Sequence, residues 1–500
     1  MKKLILLSLM FLGLPLMTNA QEQQEEAQKP TVYRFRLQLT DKKGTTGKLN
    51  KPEAYLSQKA IERRQKQGLA IDSTDLPVSA TYLKQLRKDG LKVHCVSKWN
   101  NTAVVELTDS AKGAQLASAY KFVSSSRFIY KTPAPKKMPE RPQRPQGQRP
   151  QGQQPQGGQP QAGQQPQGAP QGAPRMPRDR KEMVSNDPLE TMEAYYGAAQ
   201  NQINLLNGVK LHDAGFRGEG MTIGIIDGGY TNADVISALS NVKILGTHNF
   251  VDPAADIYGA SAHGLMVLSC MGSNQPNAIV GTAPGAAFWL LASEDSDGEQ
   301  VMEMDQWAAA IEFADSVGCD VVNTSLGYND FDYDPDDIKY WEMDGHKTLI
   351  SNSASMCAQK GFILCVSAGN SGTDGWHKLT PPADAEDVLC VGALTPEGTN
   401  ASFSSLGYSS DGRVKPDVMS QGQACAVISP NGKVGKANGT SFASPIMCGM
   451  VTCLWQALPN YTALQLMDLI RKHGNNVEHP NEVYGFGTPD MYQAYLDGKK

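Results

Sequence analysis

Residues 221–229 read MTIGIIDGG, a mostly apolar run that ends in a carboxylate followed by two glycines. A short apolar run bounded by glycine is typical of a buried strand. A carboxylate at the end of such a strand is costly to bury without a partner, so we expect Asp227 to have one. The segment therefore predicts a core strand with a functional group at its carboxyl end.

The rest of the chain from about residue 186 alternates between strand and helix patterns. Further buried strands are predicted over 287–291, 321–323, 362–366 and 388–391, and helices over 301–317 and 441–457. This alternation is typical of a parallel sheet with crossover helices. We predict an α/β fold for residues 186–500, a three-layer sandwich with a mainly parallel, doubly wound sheet. Active sites of such sheets lie at the carboxyl ends of strands.

The N-terminus carries the pattern of a secretory signal peptide. Lys2 and Lys3 precede an apolar run over residues 4–17, and Ala20 supplies the small residue of a cleavage point. The run is shorter than the roughly 20 residues that a membrane span requires. We therefore predict a signal peptide over residues 1–20, export to the periplasm or the medium, and no membrane span.

Two further segments lie between the predicted signal peptide and the predicted α/β domain. Residues 21–131 combine strand-like runs (33–39, 102–107) with a basic helical stretch around 56–67, which predicts a small α+β domain. Residues 132–185 are dominated by proline, glutamine and glycine. This composition cannot bury a core, so we predict an extended, disordered linker.

Net charge differs sharply between these segments of the chain, although the whole chain has a net charge of only −5. Residues 21–131 carry a net charge of +9, and residues 182–500 carry −23. Each piece could simply be solubilised by its own charge. The alternative is that the basic N-terminal domain docks on the acidic C-terminal region. No nucleic-acid partner is predicted.

The segment NGTSFASP, residues 438–445, places small residues around a serine at the start of a predicted helix. A serine in this place is commonly only an N-cap. Small neighbours and a positive helix end also suit Ser441 to nucleophilic attack on a carbonyl group. In that role its backbone N–H would help to stabilise the oxyanion.

A nucleophilic serine needs a base, and the base needs a carboxylate. His263, within SAHGLMV at 261–267, is at a predicted helix start, and Asp227 would fix its tautomer and stabilise the imidazolium. Asn370, within SAGNSG at 367–372, directly follows a predicted strand. Asparagine at a strand exit is often a turn residue, but its amide could equally contribute to an oxyanion hole.

The order Asp, His, Ser along the chain resembles that of the subtilisin-like serine peptidases. Residues 439–445 differ from the family's serine motif only at Phe442, and residues 368–370 match its oxyanion motif. The aspartate motif departs at one position and the histidine motif at two. Further similarities occur at 281–285, 322–327 and 415–418.

The resemblance implies a serine endopeptidase that cleaves protein or peptide substrates through an acyl-enzyme. Asp227, His263 and Ser441 would form the triad, with Asn370 in the oxyanion hole. The segment Ser325, Leu326 and Gly327 would pair with the substrate backbone as an added strand. Residues 21–131 occupy the place of the family's pro-domain, which assists folding and then inhibits; an independent N-terminal binding module is the alternative.

Three aspartates, Asp330, Asp332 and Asp334, are spaced by two residues in an acidic loop, as in calcium-binding loops. The loop lacks the glycine and the distal glutamate of an EF-hand, and a solvated acidic loop is the favoured interpretation. We expect no cofactor for the chemistry and name a structural calcium ion as the only candidate. The nine cysteines show no zinc pattern, and their redox state is left open.

Two other functions fit parts of the pattern. One is a catalytically silent, subtilisin-like binding protein, which the intact triad disfavours. The other is a different serine hydrolase, such as an esterase, which a comparison of peptide and ester substrates would separate.

Overall fold

The structure is a computed structural model that describes residues 31–132, 180–185, 187–295 and 298–500. The predicted signal peptide lies outside the described residues, as does most of the predicted linker. The described chain forms two domains of different size, a small N-terminal domain and a large C-terminal domain.

The small domain is built on a four-stranded antiparallel sheet. Its strands, in order across the sheet, are Lys92–Ser97, Thr102–Leu107, Val32–Leu39 and Val123–Thr132. Its helices are Gln58–Gln67, Ala80–Lys88 and Ser110–Ala119. The first of these begins where Ser57 accepts a hydrogen bond from the Ala60 N–H and ends at Gly68 in the left-handed conformation, which are standard start and stop signals.

The large domain contains a seven-stranded sheet in which every neighbouring pair is parallel. The strands, in order across the sheet, are Val418–Gln421, Leu389–Leu394, Ile363–Ser367, Val321–Thr324, Thr222–Asp227, Ala287–Ala292 and Lys243–Asn249. Two antiparallel pairs complete the strands: Cys425–Ile428 with Val434–Ala437, and Asn274–Gln275 with Ile279–Val280.

Helices cover both faces of this sheet, which confirms the predicted three-layer α/β sandwich. The helices are Gln200–Asn204, Gly208–Asp213, His263–Gly272, Met302–Val317, Leu349–Ser355, Thr440–Ala457, Ala463–Lys472 and Met491–Gly498. Successive strand residues point to opposite faces, so Ile225 packs with helix Thr440–Ala457 while Ile226 packs with helix Met302–Val317. The two cores therefore lie back to back across the sheet.

The small domain packs against helix Met302–Val317 of the large domain. Near the end of this helix, the buried Glu312 carboxylate accepts hydrogen bonds from the backbone N–H groups of Lys98, at 2.7 Å, and Trp99, at 3.0 Å. The same carboxylate accepts one from the Ser97 hydroxyl. A tight turn of the small domain is thus capped by a side chain of the large one.

Asp315, one turn further along this helix, is the centre of a buried ion-pair network between the domains. It is fully buried and pairs with Arg63 and with Arg64, whose guanidinium lies 2.8 Å from the carboxylate. Burial opposes its ionisation, but the cations of Lys98, Arg63 and Arg64 outweigh burial and lower the pKa of Asp315. The basic small domain therefore meets the acidic large domain through specific, desolvated contacts.

All nine cysteines lie in the described part of the chain, and all nine are unpaired. Eight are buried and Cys95 is partly buried. Burial raises the pKa of each buried thiol whose shift is resolved, that of Cys319 to about 12. Within the described ranges no helix is both long and apolar enough to cross a membrane.

Candidate active site

Asp227 and His263 form a hydrogen-bonded pair at the carboxyl end of the central strands. Asp227 is the last residue of its strand and is fully buried, and His263 is the first residue of helix His263–Gly272. The His263 Nδ1 lies 2.9 Å from Oδ1 and 3.0 Å from Oδ2 of Asp227. The buried Asp227 carboxylate therefore has the partner that we expected from the sequence. Because the hydrogen bond uses Nδ1, the imidazole Nε2 stays available for proton transfer.

The electrostatics of this pair suit a general base. Burial disfavours the charged imidazolium, but attraction and hydrogen bonding to the Asp227 carboxylate outweigh burial, so the pKa of His263 is raised. A raised pKa makes the imidazole a stronger acceptor for the proton of an attacking hydroxyl.

Ser441 lies in the first turn of helix Thr440–Ala457, behind a glycine that the backbone requires. Gly439 has a φ of 148°, a conformation that side chains with a Cβ rarely adopt. Among the described residues, the Ser441 hydroxyl hydrogen-bonds to the Ser325 carbonyl oxygen, at 3.5 Å, and not to His263. Catalytic hydrogen bonds commonly form or tighten only when substrate binds.

The side chain of Asn370 is oriented by Thr440. Its Oδ1 accepts hydrogen bonds from the Thr440 backbone N–H, at 2.9 Å, and from the Thr440 hydroxyl, at 3.0 Å. With the oxygen so occupied, the amide Nδ2 is left as a donor beside the Ser441 loop. The Ser441 N–H, in the first turn of its helix, has no carbonyl one turn earlier to bond to. These two N–H groups can converge on one oxyanion.

A buried network that the sequence analysis missed holds this loop in place. The Asn323 side chain donates to the Ser325 hydroxyl, at 3.0 Å, and accepts from the Ser444 hydroxyl, at 2.7 Å. The Ser325 hydroxyl in turn donates to the Ser441 carbonyl oxygen, at 2.8 Å. Asn323 thus connects its own strand to the helix of Ser441. Its position within a buried strand was the available signal, because a buried amide requires hydrogen-bond partners.

The predicted substrate-binding segment leaves strand Val321–Thr324 beside this network. Ser325 is buried, Leu326 is half-buried and Gly327 is exposed. Opposite this strand end, the Gln300 side chain accepts a hydrogen bond from the Lys131 N–H, at 2.9 Å, and donates one to the Lys131 carbonyl oxygen, at 3.1 Å. Gln300, also missed by the sequence analysis, therefore binds the end of the small domain's last strand as a β-strand edge would.

Three glutamates gather between Gln300 and the Asp227–His263 pair: Glu294, Glu299 and Glu303, with ligand atoms all within 4.8 Å of one another. Glu294 accepts a hydrogen bond from the Tyr328 hydroxyl. Glu303 accepts backbone hydrogen bonds from Asp295, at 2.9 Å, and Gln300, at 3.0 Å. Burial and mutual repulsion raise the pKa of Glu294 to about 8 and that of Glu303 to about 11. Burial and mutual repulsion thus favour proton binding at this cluster of carboxyls.

The three aspartates named as calcium candidates lie in a separate loop. Their carboxylates are not among the groups that converge in the described part of the chain. Asp332 instead accepts a hydrogen bond from the Glu299 N–H, at 3.1 Å, and Asp334 opens a short 3-10 helix. Hydrogen bonds within the protein thus shape this loop.

Comparison with known proteins agrees with this geometry. A family model described as the Subtilase family matches residues 218–487, which is more than half of the chain. The chain belongs to the subtilase family. A second model, described as the Peptidase S8 propeptide domain of Bacteroidota, matches residues 34–146. The subtilase is thus a serine endopeptidase with an N-terminal propeptide domain, and the match extends beyond the predicted boundary at residue 131.

Curated relatives of the subtilase include several subtilisins. It is 25% identical over 294 residues to subtilisin DY of Bacillus licheniformis, covering 58% of this chain and 97% of that protein. It is 28% identical over 296 residues to subtilisin E of Bacillus subtilis (strain 168), covering 58% of this chain and 70% of that protein.

Solved structures similar to the subtilase include MycP1 with its N-terminal propeptide removed, with a TM-score of 0.48 and 20% identity over 59% of this chain and 96% of that one. Another is the self-cleaved protease domain of PatA, with a TM-score of 0.46 and 22% identity over 57% of this chain and 98% of that one.

Proposed function

We propose that this subtilase hydrolyses peptide bonds through an acyl-enzyme, with Asp227, His263 and Ser441 as its catalytic triad. The observation that carries the proposal is the buried Asp227 carboxylate, which holds the His263 Nδ1 at 2.9 Å, with the imidazole 5.8 Å from the ring of Phe442, the residue after Ser441. No other described histidine pairs with a fully buried aspartate.

In the proposed reaction, Ser441 Oγ attacks the substrate carbonyl carbon as His263 Nε2 accepts the hydroxyl proton. Asp227 stabilises the resulting imidazolium. The Asn370 amide and the Ser441 N–H hydrogen-bond to the oxyanion. His263 then gives its proton to the leaving amine, and water, activated by the same imidazole, releases the acyl group. All reacting groups come from the chain, and a structural calcium ion at Asp330, Asp332 and Asp334 stays a prediction.

The oxyanion assignment predicts a selective loss of rate in Asn370→Ala. We expect kcat to fall by about 10²–10³, the loss found when subtilisin loses an oxyanion-hole amide, with a much smaller change in KM. Steady-state kinetics on a peptide substrate give both values. The matched control is Asn204→Ala, at an exposed position of helix Gln200–Asn204. An unchanged kcat would make Asn370 a turn residue only.

We also propose that the protein is exported, on the strength of the signal pattern in residues 1–20, and that the N-terminal domain inhibits the enzyme until it is released. Support for inhibition comes from the two hydrogen bonds between Lys131 and Gln300, because Gln300 follows the glutamate cluster that lies next to the Asp227–His263 pair. The buried Asp315 network would then set how slowly this domain leaves.

Asp315→Asn should accelerate that release. In the docked state the change leaves the cations of Arg63 and Arg64 buried without their shared partner, a loss that costs at least roughly 2 kcal/mol. We therefore expect dissociation to be at least about 30-fold faster. The predicted linker contains six arginines, at 141, 144, 149, 175, 178 and 180, where a trypsin-like protease can cut. After this cleavage, the gain of activity on dilution measures the rate of release.

Asp336→Asn is the matched control for this measurement. It also removes an ion pair between the domains, but its partner Arg127 is 53% exposed, and exposed pairs contribute little. We expect its release rate to stay within about threefold of the wild type. Equal rates for both variants would refute the Asp315 network as the determinant of release.

A further inference from the structure

Tyr230, three residues after Asp227, is a large polar side chain with no exposure to solvent. It is 0% exposed and belongs to the core that helix Thr440–Ala457 covers. A buried tyrosine hydroxyl usually has a hydrogen-bond partner. Burial and the nearby charge of Asp227 raise the pKa of Tyr230 well above its ordinary value. The hydroxyl therefore keeps its proton and acts as a hydrogen-bond donor.

The Tyr230 hydroxyl joins two neighbouring strands of the central sheet close to their carboxyl ends. It donates to the Ile225 carbonyl oxygen, at 2.7 Å, and the Leu291 carbonyl oxygen lies 3.2 Å from it. In the other direction, the Leu291 N–H donates to the hydroxyl oxygen, at 3.3 Å. Ile225 comes two residues before Asp227, and Leu291 pairs with Ile226 in the parallel ladder. The phenol thus ties the strand that ends in Asp227 to the strand beside it.

The ring of the same side chain lies against the first turn of the helix that carries His263. A Cβ atom placed on Gly264 would lie 2.8 Å from the Tyr230 Cε1 and 3.0 Å from the Asp227 Cβ, a separation that only glycine permits. The Gly264 N–H donates to the Gly229 carbonyl oxygen, at 3.0 Å. The start of this helix therefore rests on both the Tyr230 ring and Asp227.

The backbone of Tyr230 is held as firmly as its side chain. Its N–H donates to the Ile257 carbonyl oxygen, at 2.8 Å, and its carbonyl oxygen accepts from the Ala233 N–H, at 2.9 Å. The hydroxyl is bonded at the far end of the ring, so the phenol is fixed at both ends. One residue therefore contacts both backbone elements that carry the Asp227–His263 pair.

From this geometry we infer that Tyr230 is a positioning residue for the catalytic pair: its hydroxyl fixes the strand end that carries Asp227, and its ring fixes the helix start that carries His263. The inference rests on the proposed function and adds to it a residue that is too deeply buried to meet substrate. The distances from His263 Nδ1 to the two Asp227 oxygens, 2.9 and 3.0 Å, depend on where these two elements lie. A misplacement of about 1 Å can lower a catalytic rate by about 10².

Tyr230→Phe keeps the ring and removes only the oxygen atom that joins the two strands. We expect kcat on a peptide substrate to fall at least about tenfold, while KM changes by less than about threefold, because substrate binding does not involve this residue. The matched control is Tyr258→Phe, which removes a hydroxyl at a half-buried position. It should keep kcat within about twofold of the wild type.

The acid limb of the kcat/KM profile separates positioning from a loss of stability. Burial lowers the pKa of His263, whereas Asp227, through charge and a hydrogen bond, and Glu294, through charge, raise it. Activity is lost as the pH falls through this pKa, because His263 is a base only when neutral. A looser pair lowers the pKa, so the acid limb should move to lower pH in Tyr230→Phe. Reduced stability alone would leave the limb in place at temperatures well below the unfolding midpoint.

A second measurement needs no activity. The proton NMR resonance of the His263 Nδ1–H moves upfield as its hydrogen bond to Asp227 lengthens. We expect such a move in Tyr230→Phe, relative to both the wild type and Tyr258→Phe. The uncleaved chain serves for this comparison, because the docked N-terminal domain stabilises the large domain. The variant can therefore be tested even where the cleaved enzyme is too unstable for kinetics.

Each outcome decides one level of the proposal. A folded Tyr230→Phe enzyme with the kcat, acid limb and resonance of the wild type overturns the inference and leaves the proposed function intact. A fall in kcat with neither the acid limb nor the resonance displaced also overturns it, since Tyr230 would then support the fold only. A folded, fully processed wild type that cleaves no member of a mixed peptide library overturns the proposed function, and the resonance alone then decides whether Tyr230 positions the pair.

Discussion

Replacement of Ser441 by alanine should lower kcat on a peptide substrate by about 10⁶, the loss measured when subtilisin loses its nucleophile. The reason is that no other group in the cleft can form the acyl-enzyme. Folding should be little affected, because the hydroxyl contributes only a long hydrogen bond, at 3.5 Å, to the Ser325 carbonyl oxygen. Peptide hydrolysis and thermal unfolding, measured on the same preparation, test both statements.

Processing gives a second readout for this variant. If the enzyme cuts its own linker, Ser441→Ala should accumulate with the N-terminal domain still attached, and added wild-type enzyme should convert it. Ser240→Ala, at an exposed position, is the matched control and should process normally. Activity within a factor of about 100 of the wild type in a folded Ser441→Ala protein would exclude Ser441 as the nucleophile.

Replacement of Asp227 by asparagine should lower kcat by about 10⁴ near neutral pH. The Asp227 carboxylate accepts a hydrogen bond from the N–H at His263 Nδ1, which leaves Nε2 unprotonated and able to accept the serine proton. An asparagine amide can donate to Nδ1 instead, and the proton then sits on Nε2, where it blocks the transfer from the serine hydroxyl. The control is Asp252→Asn, on an exposed loop, which should keep activity within about twofold.

The pH dependence of the same variant has a definite sign. His263 acts as a base only when neutral, so wild-type activity is lost as the pH falls through its raised pKa. Without the Asp227 carboxylate the imidazolium loses its main stabilisation, and the pKa of His263 falls. The acid limb of the kcat/KM profile should therefore move to lower pH in Asp227→Asn. An acid limb at the same pH in Asp227→Asn and in the wild type would show that a group other than His263 controls the loss of activity.

The central strands of the large domain could be predicted because strands buried on both faces are apolar along most of their length. Strand Thr222–Asp227 is buried throughout, and an uninterrupted apolar run is the signal of a strand covered on both faces. The edge strand Lys243–Asn249 has no such signal, since its side chains alternate between exposed and half-buried. The strand Val418–Gln421 was not predicted, because its second half, Ser420 and Gln421, is polar although all four residues are buried.

The candidate site likewise contains residues that the local sequence predicts and others that it does not. Asp227 and Ser441 could be chosen because each has an unusual local setting, a carboxylate ending a buried strand and a serine within small residues. The role of Gln300 depends on a residue distant in the chain. Its side chain meets Lys131, which belongs to another domain. No local pattern carries such information.

The nine unpaired cysteines have a consequence for how this protease ages. Its native state, in the part of the chain that holds them, carries no disulfide, and eight of the nine thiols are buried, so oxidants and reductants have little access to them while the chain stays folded. Heat removes that protection, because unfolding exposes all of them together. In aerated buffer we expect dissolved oxygen to oxidise the exposed thiols to disulfides within and between unfolded chains. Thermal inactivation then becomes irreversible. Its working lifetime is therefore set by the rate of unfolding rather than by the free energy of unfolding.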